Sequence, residues 1–260
     1  VIPAQQRIDS HWYLGTADAI YQNIYSIEKE GPQHVLILAG DHVYKMDYDK
    51  MRAFHERSGA DATISVVEME RERARGFGIV EVDAQDRMIG FEEKPVQPKS
   101  IPGKPGRCYV SMGIYLFTRA ALETVLIEDA TREGSTHDFG RDVIPSMLKS
   151  RTVMAHHFSA EGVSASGEAG EGARQARYWR DIGTLDAYYE ANMDLIQVTP
   201  LFNLYDQSWP VRTYQEQWPP AKTVFADDAT GRVGMMLDSL ASNGCIISGG
   251  RIQRCVLSPD

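Results

Sequence analysis

Two aspartates sit where an open α/β sheet would place a metal ion. Asp41 closes the apolar run His34-Val35-Leu36-Ile37-Leu38-Ala39-Gly40. Asp181 closes Tyr178-Trp179-Arg180 and is followed by Ile182-Gly183-Thr184 and a helical pattern. Ligands of such sheets gather outside the carboxyl ends of the strands. Two carboxylates there would hold a hard divalent cation between phosphates. A third strand ends in Phe91-Glu92-Glu93-Lys94-Pro95. Lys94 offers a point charge to a sugar phosphate, Glu93 offers an acceptor to sugar hydroxyls, and Pro95 fixes the exit of the chain. The layout points to chemistry on a phosphorylated substrate.

Each feature also has a plainer reading. Asp41 is equally a turn or cap residue, and Asp181 a partner for Arg180. Glu92-Glu93-Lys94 is equally a solvated strand end. Gly15-Thr16 enters a helix and offers backbone N–H groups to a phosphate or nucleotide, or is an ordinary capped start. Ser111-Met112-Gly113-Ile114-Tyr115 and His137-Asp138-Phe139-Gly140 set polar groups into apolar context, the second also reading as a capping network before Val143. His11, His42, His137, His156 and His157 show no zinc-like spacing. No Ser-His-Asp arrangement or reactive-cysteine signature stands out.

The elements that must position these residues follow from periodicity. Ile20, Ile24 and Ile27 predict an amphipathic helix over 16–29, with Thr16 as N-cap. Residues 34–39 read as a buried strand and 50–58 as a helix ended by Gly59. Strand 62–67 follows, then a hairpin of 76–82 with 88–92. A strand over 109–117, a helix over 119–127, a helix over 142–149 and a strand over 153–158 complete the alternation. Residues 160–176, rich in Gly, Ala, Ser and Glu, read as a flexible surface loop. Residues 184–197 read as a helix, and Thr199 to Arg232 as an ordered connector. Leu240, Ile246 and Ile252 then recur every six residues, as in a hexapeptide β-helix. Strands alternating with helices predict a mostly parallel α/β sheet, which the hairpin makes mixed.

The chain has 260 residues, 43% of them hydrophobic and 24% charged, the composition of an ordinary globular protein. A net charge of −9 argues against nucleic acid as a main partner. Cys108, Cys245 and Cys255 form no C-x-x-C unit and read as free thiols of a reducing cytoplasm. No apolar run approaches a membrane span. The opening at Val1, in mid-pattern, suggests a fragment or a processed chain.

Taken together, the segments resemble the sugar-nucleotide pyrophosphorylases, and within them the bacterial ADP-glucose branch. The matching stretches are Pro3-Ala4-Gln5-Gln6, Trp12 to Ala19, Leu38 to His42, Phe91 to Pro95, Ser111 to Tyr115, His137 to Gly140 and Tyr178 to Thr184. Trp209 to Tyr214 and Pro219 to Lys222 resemble the family's connector, and Gly244 to Gly249 the first coil of its left-handed β-helix. The resemblance implies a Rossmann-like nucleotidyltransferase sheet, partial at its N-terminus, over 1–197, a connector over 198–233 and the start of the β-helix over 234–260. It implies synthesis of ADP-glucose and pyrophosphate from ATP and α-D-glucose 1-phosphate, for glycogen or starch. Asp41 and Asp181 would hold Mg²⁺, and Asp41 and Lys94 would be catalytic. Lys94 would bind the sugar phosphate; Tyr13, Gly78, Glu93 and Ser111 would line its pocket; Gly15 and Thr16 would lie near the nucleotide. The resemblance also implies a homotetramer and allosteric control. One departure matters: the family's Gly-Gly-x-Gly-x-Arg-Leu loop has no counterpart in this chain. A pyrophosphorylase for another nucleotide, and a non-catalytic regulatory subunit or inactive fragment, therefore stay open beside the adenylyltransferase.

Overall fold

The computed structural model describes residues 12–158, 178–214 and 216–259. Its backbone divides into two units, Val1–Gly40 with Met46–Glu161, and Asp41–Lys45 with Gly162–Asp260. The surface loop expected at 160–176 lies outside the described residues.

The first unit opens with two short helices, α1 (Thr16–Tyr21) and α2 (Ile24–Glu30), where one was expected over 16–29. Asn23 makes the break. Its side-chain amide donates to the Ala19 carbonyl at 2.8 Å, while its backbone N–H goes to Ile20 instead. Short polar side chains compete with the helix backbone in this way. Strand β1 (His34–Leu38) follows, and the chain then lends β2 (His42–Tyr44) to the second unit. Helix α3 (Tyr48–Ser58) starts at Asp47, which accepts from the Asp49 N–H at 3.1 Å, and stops at Gly59 with φ +59°. The remaining elements are β3 (Ala62–Glu70), β4 (Gly78–Val82), β5 (Met88–Glu93), β6 (Arg107–Thr118), α4 (Arg119–Ala130), α5 (Ile144–Met147) and β7 (Val153–His157). A wide helical turn over Phe139–Val143 replaces the start of the helix expected at 142–149.

The six strands form a mixed sheet of order β5-β4-β6-β3-β7, with β1 also on β6. Its parallel share is smaller than expected: among the described strands of this sheet only β3 and β7 run parallel. Strand β6 is the reason. It is long enough to run antiparallel to β3 along one edge and to β4 and then β1 along the other. On that second edge β4 pairs only as far as Val110, and β1 begins at Ile114. Among the described strands Ser111, Met112 and Gly113 therefore lack a ladder partner there. On the opposite edge the register slips between Ile64 and Val66, and Gly113 takes φ +67°. The carboxyl end of β1 adjoins this gap through the Leu38–Ile114 pair, and the start of β4 through Ile79–Val110. Gly78 is paired in turn with Glu93, the last residue of β5.

The core lies between the sheet and its helices. Ile64, Val66 and Phe117 pack with Leu122, Val125 and Leu126 of α4 and with Val143, Ile144 and Val153. Leu122, Val125 and Leu126 recur at helical spacing, so α4 turns one apolar stripe inward.

The second unit pairs β2 antiparallel with β8 (Trp179–Asp181) and continues into α6 (Leu185–Leu195). Short parallel strands follow. β9 (Lys222–Val224) pairs with β12 (Ile246–Ser248), β10 (Met235–Leu237) with β13 (Arg251–Gln253), and β11 (Leu240–Ala241) with β14 (Val256–Leu257). This is the opening of a parallel β-helix. The expected six-residue row is out of phase in its middle. Ile246 is 62% exposed, and Ile247, at 6%, points inward. The corner at Gly244, φ +88°, precedes this shift. Part of the expected connector is thus already paired, as β9. All three cysteines are free. Among the described residues no helix is long and apolar enough to cross a membrane.

Two buried histidines make the fold acid-sensitive. The His55 ring contacts Thr63 Oγ1 at 2.8 Å and Thr118 Oγ1 at 3.1 Å. Burial, reinforced by the neighbouring His34, holds its pKa down at about 4, and burial does the same for His156. Between the unperturbed value of 6.5 and about 4 the unfolded chain binds more protons than the folded one. Stability contributed by these groups is full above pH 6.5 and declines as pH falls toward 4. The urea midpoint is expected to drop across this window. His55→Gln is expected to flatten the dependence.

Candidate active site

In the first unit the gap beside β6 gathers polar side chains. Glu93 ends β5 with its carboxylate held between two glycines. A Cβ on Gly140 would lie 2.7 Å from Glu93 Oε2, and one on Gly78 3.0 Å from it. Only residues without a side chain allow that approach. Burial pushes the Glu93 carboxyl above the usual range; Lys94 opposes the shift and Asp138 adds to it. Lys94 has φ +48° and donates its N–H to the Phe77 carbonyl at 3.2 Å. A left-handed residue other than glycine costs on the order of 1–3 kcal/mol and is kept where the surroundings demand it. Here it turns the chain out of β5 and leaves the ammonium 59% exposed, 3.7 Å from Glu93 Oε1. Tyr115 is hydrogen-bonded to Ser111, and burial pushes its hydroxyl up to about 12, so it stays neutral. Glu93 and Asp138 also act on the Tyr115 hydroxyl electrostatically.

The wide turn is built by Asp138, whose Oδ1 accepts from the N–H groups of Gly140 at 2.9 Å and Arg141 at 3.0 Å. The expected capping network is therefore present, and it carries Gly140 to Glu93. Gly15 and Thr16 pack on the same turn. The N–H of Ala17 donates to the His137 carbonyl at 2.8 Å, and a Cβ on Gly15 would run into that backbone. The first N–H groups of α1 are thus engaged within the protein rather than offered to a phosphate. The Tyr13 hydroxyl accepts from Asn23 at 3.0 Å, at the junction of α1 and α2.

In the second unit the ladder sets His42 opposite Asp181, and the Ile182 N–H donates to the Asp41 carbonyl at 2.9 Å. Ligand atoms of Asp41, His42 and Asp181 all lie within 4.8 Å of one another. The two aspartates do not close two strands of one parallel sheet, as expected. Strand β1 stops at Leu38, and a separate antiparallel ribbon unites them. Gly183 lets them approach: a Cβ there would stand 3.0 Å from Asp181 Oδ1 and 3.2 Å from Asp41 Oδ2. Arg180 points away, to Asp194 at 3.0 Å, so it does not neutralise Asp181. Thr184 caps α6, as expected, by accepting from Ala187 at 3.2 Å.

Residues 1–198 match the nucleotidyl transferase family. The chain belongs to that family. Residues 219–260 match the GlmU-like C-terminal hexapeptide family, in keeping with the parallel coils. Curated relatives named glucose-1-phosphate adenylyltransferase include those of Koribacter versatilis (48% identical, covering 100% of this chain and 60% of the relative) and Paramagnetospirillum magneticum (51%, 99% and 58%). The one from Rhodospirillum rubrum is 51% identical over 99% of this chain and 59% of its own length. The chain therefore spans about three-fifths of the length of these relatives.

Nucleotidyl transferases generally use a divalent metal, and the ribbon's donor set fits one. Its two carboxylates are hard oxygen donors. His42 reads as a donor beside them. Its Nδ1 is buried without a hydrogen-bond partner, and its Nε2 faces Asp41 Oδ1 at 3.6 Å. A proton on Nε2 meets a carboxylate, whereas one on Nδ1 would be buried unpaired. Sequence reasoning gave no role to His42 or Tyr115, and to Asp138 only that of a cap. The only signals were adjacency to Asp41 for the first and polar groups set into apolar segments for the others.

A methyl group at position 183 tests the carboxylate pair. Gly183→Ala is expected to weaken Mn²⁺ binding, read by calorimetry, by about ten-fold or more. The far-UV circular dichroism is expected to stay unchanged.

Proposed function

We propose that this chain carries the sugar-phosphate and metal-binding machinery of a glucose-1-phosphate adenylyltransferase. The reaction joins ATP and α-D-glucose 1-phosphate to give ADP-glucose and pyrophosphate, for glycogen or starch synthesis. The observation that supports it best is the adjacency of Glu93 and Lys94 at the gap beside β6. There an acceptor for sugar hydroxyls stands next to a cation for the phosphate. The names of the relatives support ATP and glucose 1-phosphate as its substrates.

A phosphate oxygen of the sugar phosphate attacks the α-phosphorus of ATP in line, and pyrophosphate leaves. The protein's work is alignment and charge compensation. Lys94 grips the sugar phosphate, and Glu93, Ser111 and Tyr115 line its pocket, with Gly78 shaping the wall. Tyr13 belongs to the same pocket, and Gly15 and Thr16 stand toward the nucleotide. Asp41 and Asp181 would hold Mg²⁺, which when bound would neutralise phosphate charge. His42 steadies Asp41. Residues 1–197 are assigned to the nucleotidyltransferase domain, 198–233 to the connector and 234–260 to the start of a left-handed β-helix. The whole protein is assigned to the cytoplasm as a homotetramer.

The test is pyrophosphate release by the full product of the gene, with ATP, UTP, dTTP and GTP in turn. ATP is expected to be preferred. Lys94→Ala is expected to raise KM for glucose 1-phosphate by about a hundred-fold, since it removes ground-state and transition-state binding together. Asp41→Asn is expected to lower kcat by about 10²–10³. Equal turnover with UTP would overturn the adenylyl assignment, and unchanged release by Asp41→Asn the metal role. No release with any nucleotide would make a regulatory subunit the better reading.

A further inference from the structure

Thr16 begins α1, yet its hydroxyl is committed to a segment distant in sequence. Thr16 Oγ1 donates to Asp138 Oδ2 at 3.0 Å and accepts from the Phe139 N–H at 3.0 Å. Asp138 spends its other oxygen on Gly140 and Arg141. The turn is anchored from below by Asp129, which is 2% exposed. Asp129 accepts from Ser135 Oγ at 2.8 Å and contacts His137 Nδ1 at 2.9 Å. Its far end presses Gly140 on the Glu93 carboxylate. A hydrogen-bonded path therefore runs from Thr16 and Phe139 through Asp138 to Gly140, whose backbone lies against the Glu93 carboxylate.

We propose that Thr16 is a positioning residue for the sugar-phosphate pocket. Its hydroxyl holds the Asp138–Gly140 turn at the height that sets the Glu93 carboxylate. This role is separate from any contact with the nucleotide, and it rests on the assignment of Glu93 and Lys94 to glucose 1-phosphate. Without the hydroxyl, Asp138 Oδ2 loses a donor and the Phe139 N–H loses its acceptor. The turn then relaxes away from Glu93, and the pocket must reorder on binding.

The experiment is calorimetric titration of the full product of the gene with α-D-glucose 1-phosphate, without nucleotide. Thr16→Val keeps the shape and removes the hydroxyl; Thr16→Ser keeps the hydroxyl. Loss of one hydrogen-bonding group predicts weakening by about three- to ten-fold in Thr16→Val. Thr16→Ser is expected to bind as the parent does. Amide exchange at Phe139 is expected to quicken in Thr16→Val alone, which reads the turn directly even if binding is weak. Lys94→Ala is the control for the site itself. If it abolishes binding while Thr16→Val binds as the parent does, the positioning role is overturned and the site stands. If Thr16→Ser is as weak as Thr16→Val, the hydroxyl is not the determinant and the proposal fails. If the parent chain binds no glucose 1-phosphate, the site assignment fails and the positioning role falls with it.

Discussion

Strand β6 exchanges partners along one edge, and the polar residues of the first unit are arranged around that exchange. A strand inside a sheet normally has every backbone group paired, which leaves no room for a ligand. Here β4 releases β6 at Val110 and β1 takes it up at Ile114. Among the described strands none pairs with the three residues between them on that edge, and Gly113 supplies the left-handed twist that the change of register requires. Crevices of this kind are where open sheets bind ligands. The apolar packing of Phe117 against α4 holds the far end of β6, so the gap lies in a rigid frame rather than in a loop.

Within each unit negative charge is brought close to negative charge. In a chain with a net charge of −9, carboxylates converge at Asp41 with Asp181, and Glu93 feels Asp138. Three glycines make the approaches possible, Gly183 for the first pair and Gly78 and Gly140 for Glu93. Such crowding is unfavourable by itself, and it shows in the raised pKa of Glu93. Cations relieve it. Lys94, with Arg141, supplies positive charge to Glu93, and the oxygen donors of the ribbon suit a divalent cation. The strained backbone of Lys94 belongs to the same account, since it aims the one ammonium there at open solvent.

Much of this was legible in the sequence, and what was not has identifiable causes. The hairpin of β4 and β5 was readable because alternation and a turn rich in Asp are local signals. So were the cap at Thr184 and the Glu93-Lys94-Pro95 exit. The single helix expected over 16–29 failed at Asn23, because a 3.6-residue period does not register one side-chain amide that captures a carbonyl. The excess of antiparallel pairing was invisible, because alternating strands and helices say nothing about one strand serving three neighbours. The β2–β8 ribbon has three residues on each side, too few for periodicity, and its partners are far apart in the chain. His42 was missed for that reason: its relation to Asp181 exists only in the ladder. Ser111 and Tyr115 were visible as polar residues, but their meeting depends on the slip at Gly113. The hexapeptide row was seen, with its phase wrong by one residue at Ile246.

The second unit takes five of its residues, Asp41–Lys45, from the middle of the first. Its carboxylate pair therefore joins an early segment to a late one. During synthesis Asp41 leaves the ribosome long before Asp181 exists, so the early half of the ribbon waits with its edge unpaired. The pair can therefore form only once residue 181 has been made, about 140 residues after Asp41. For the engineer the same fact means that no single cut in this polypeptide separates the two units intact.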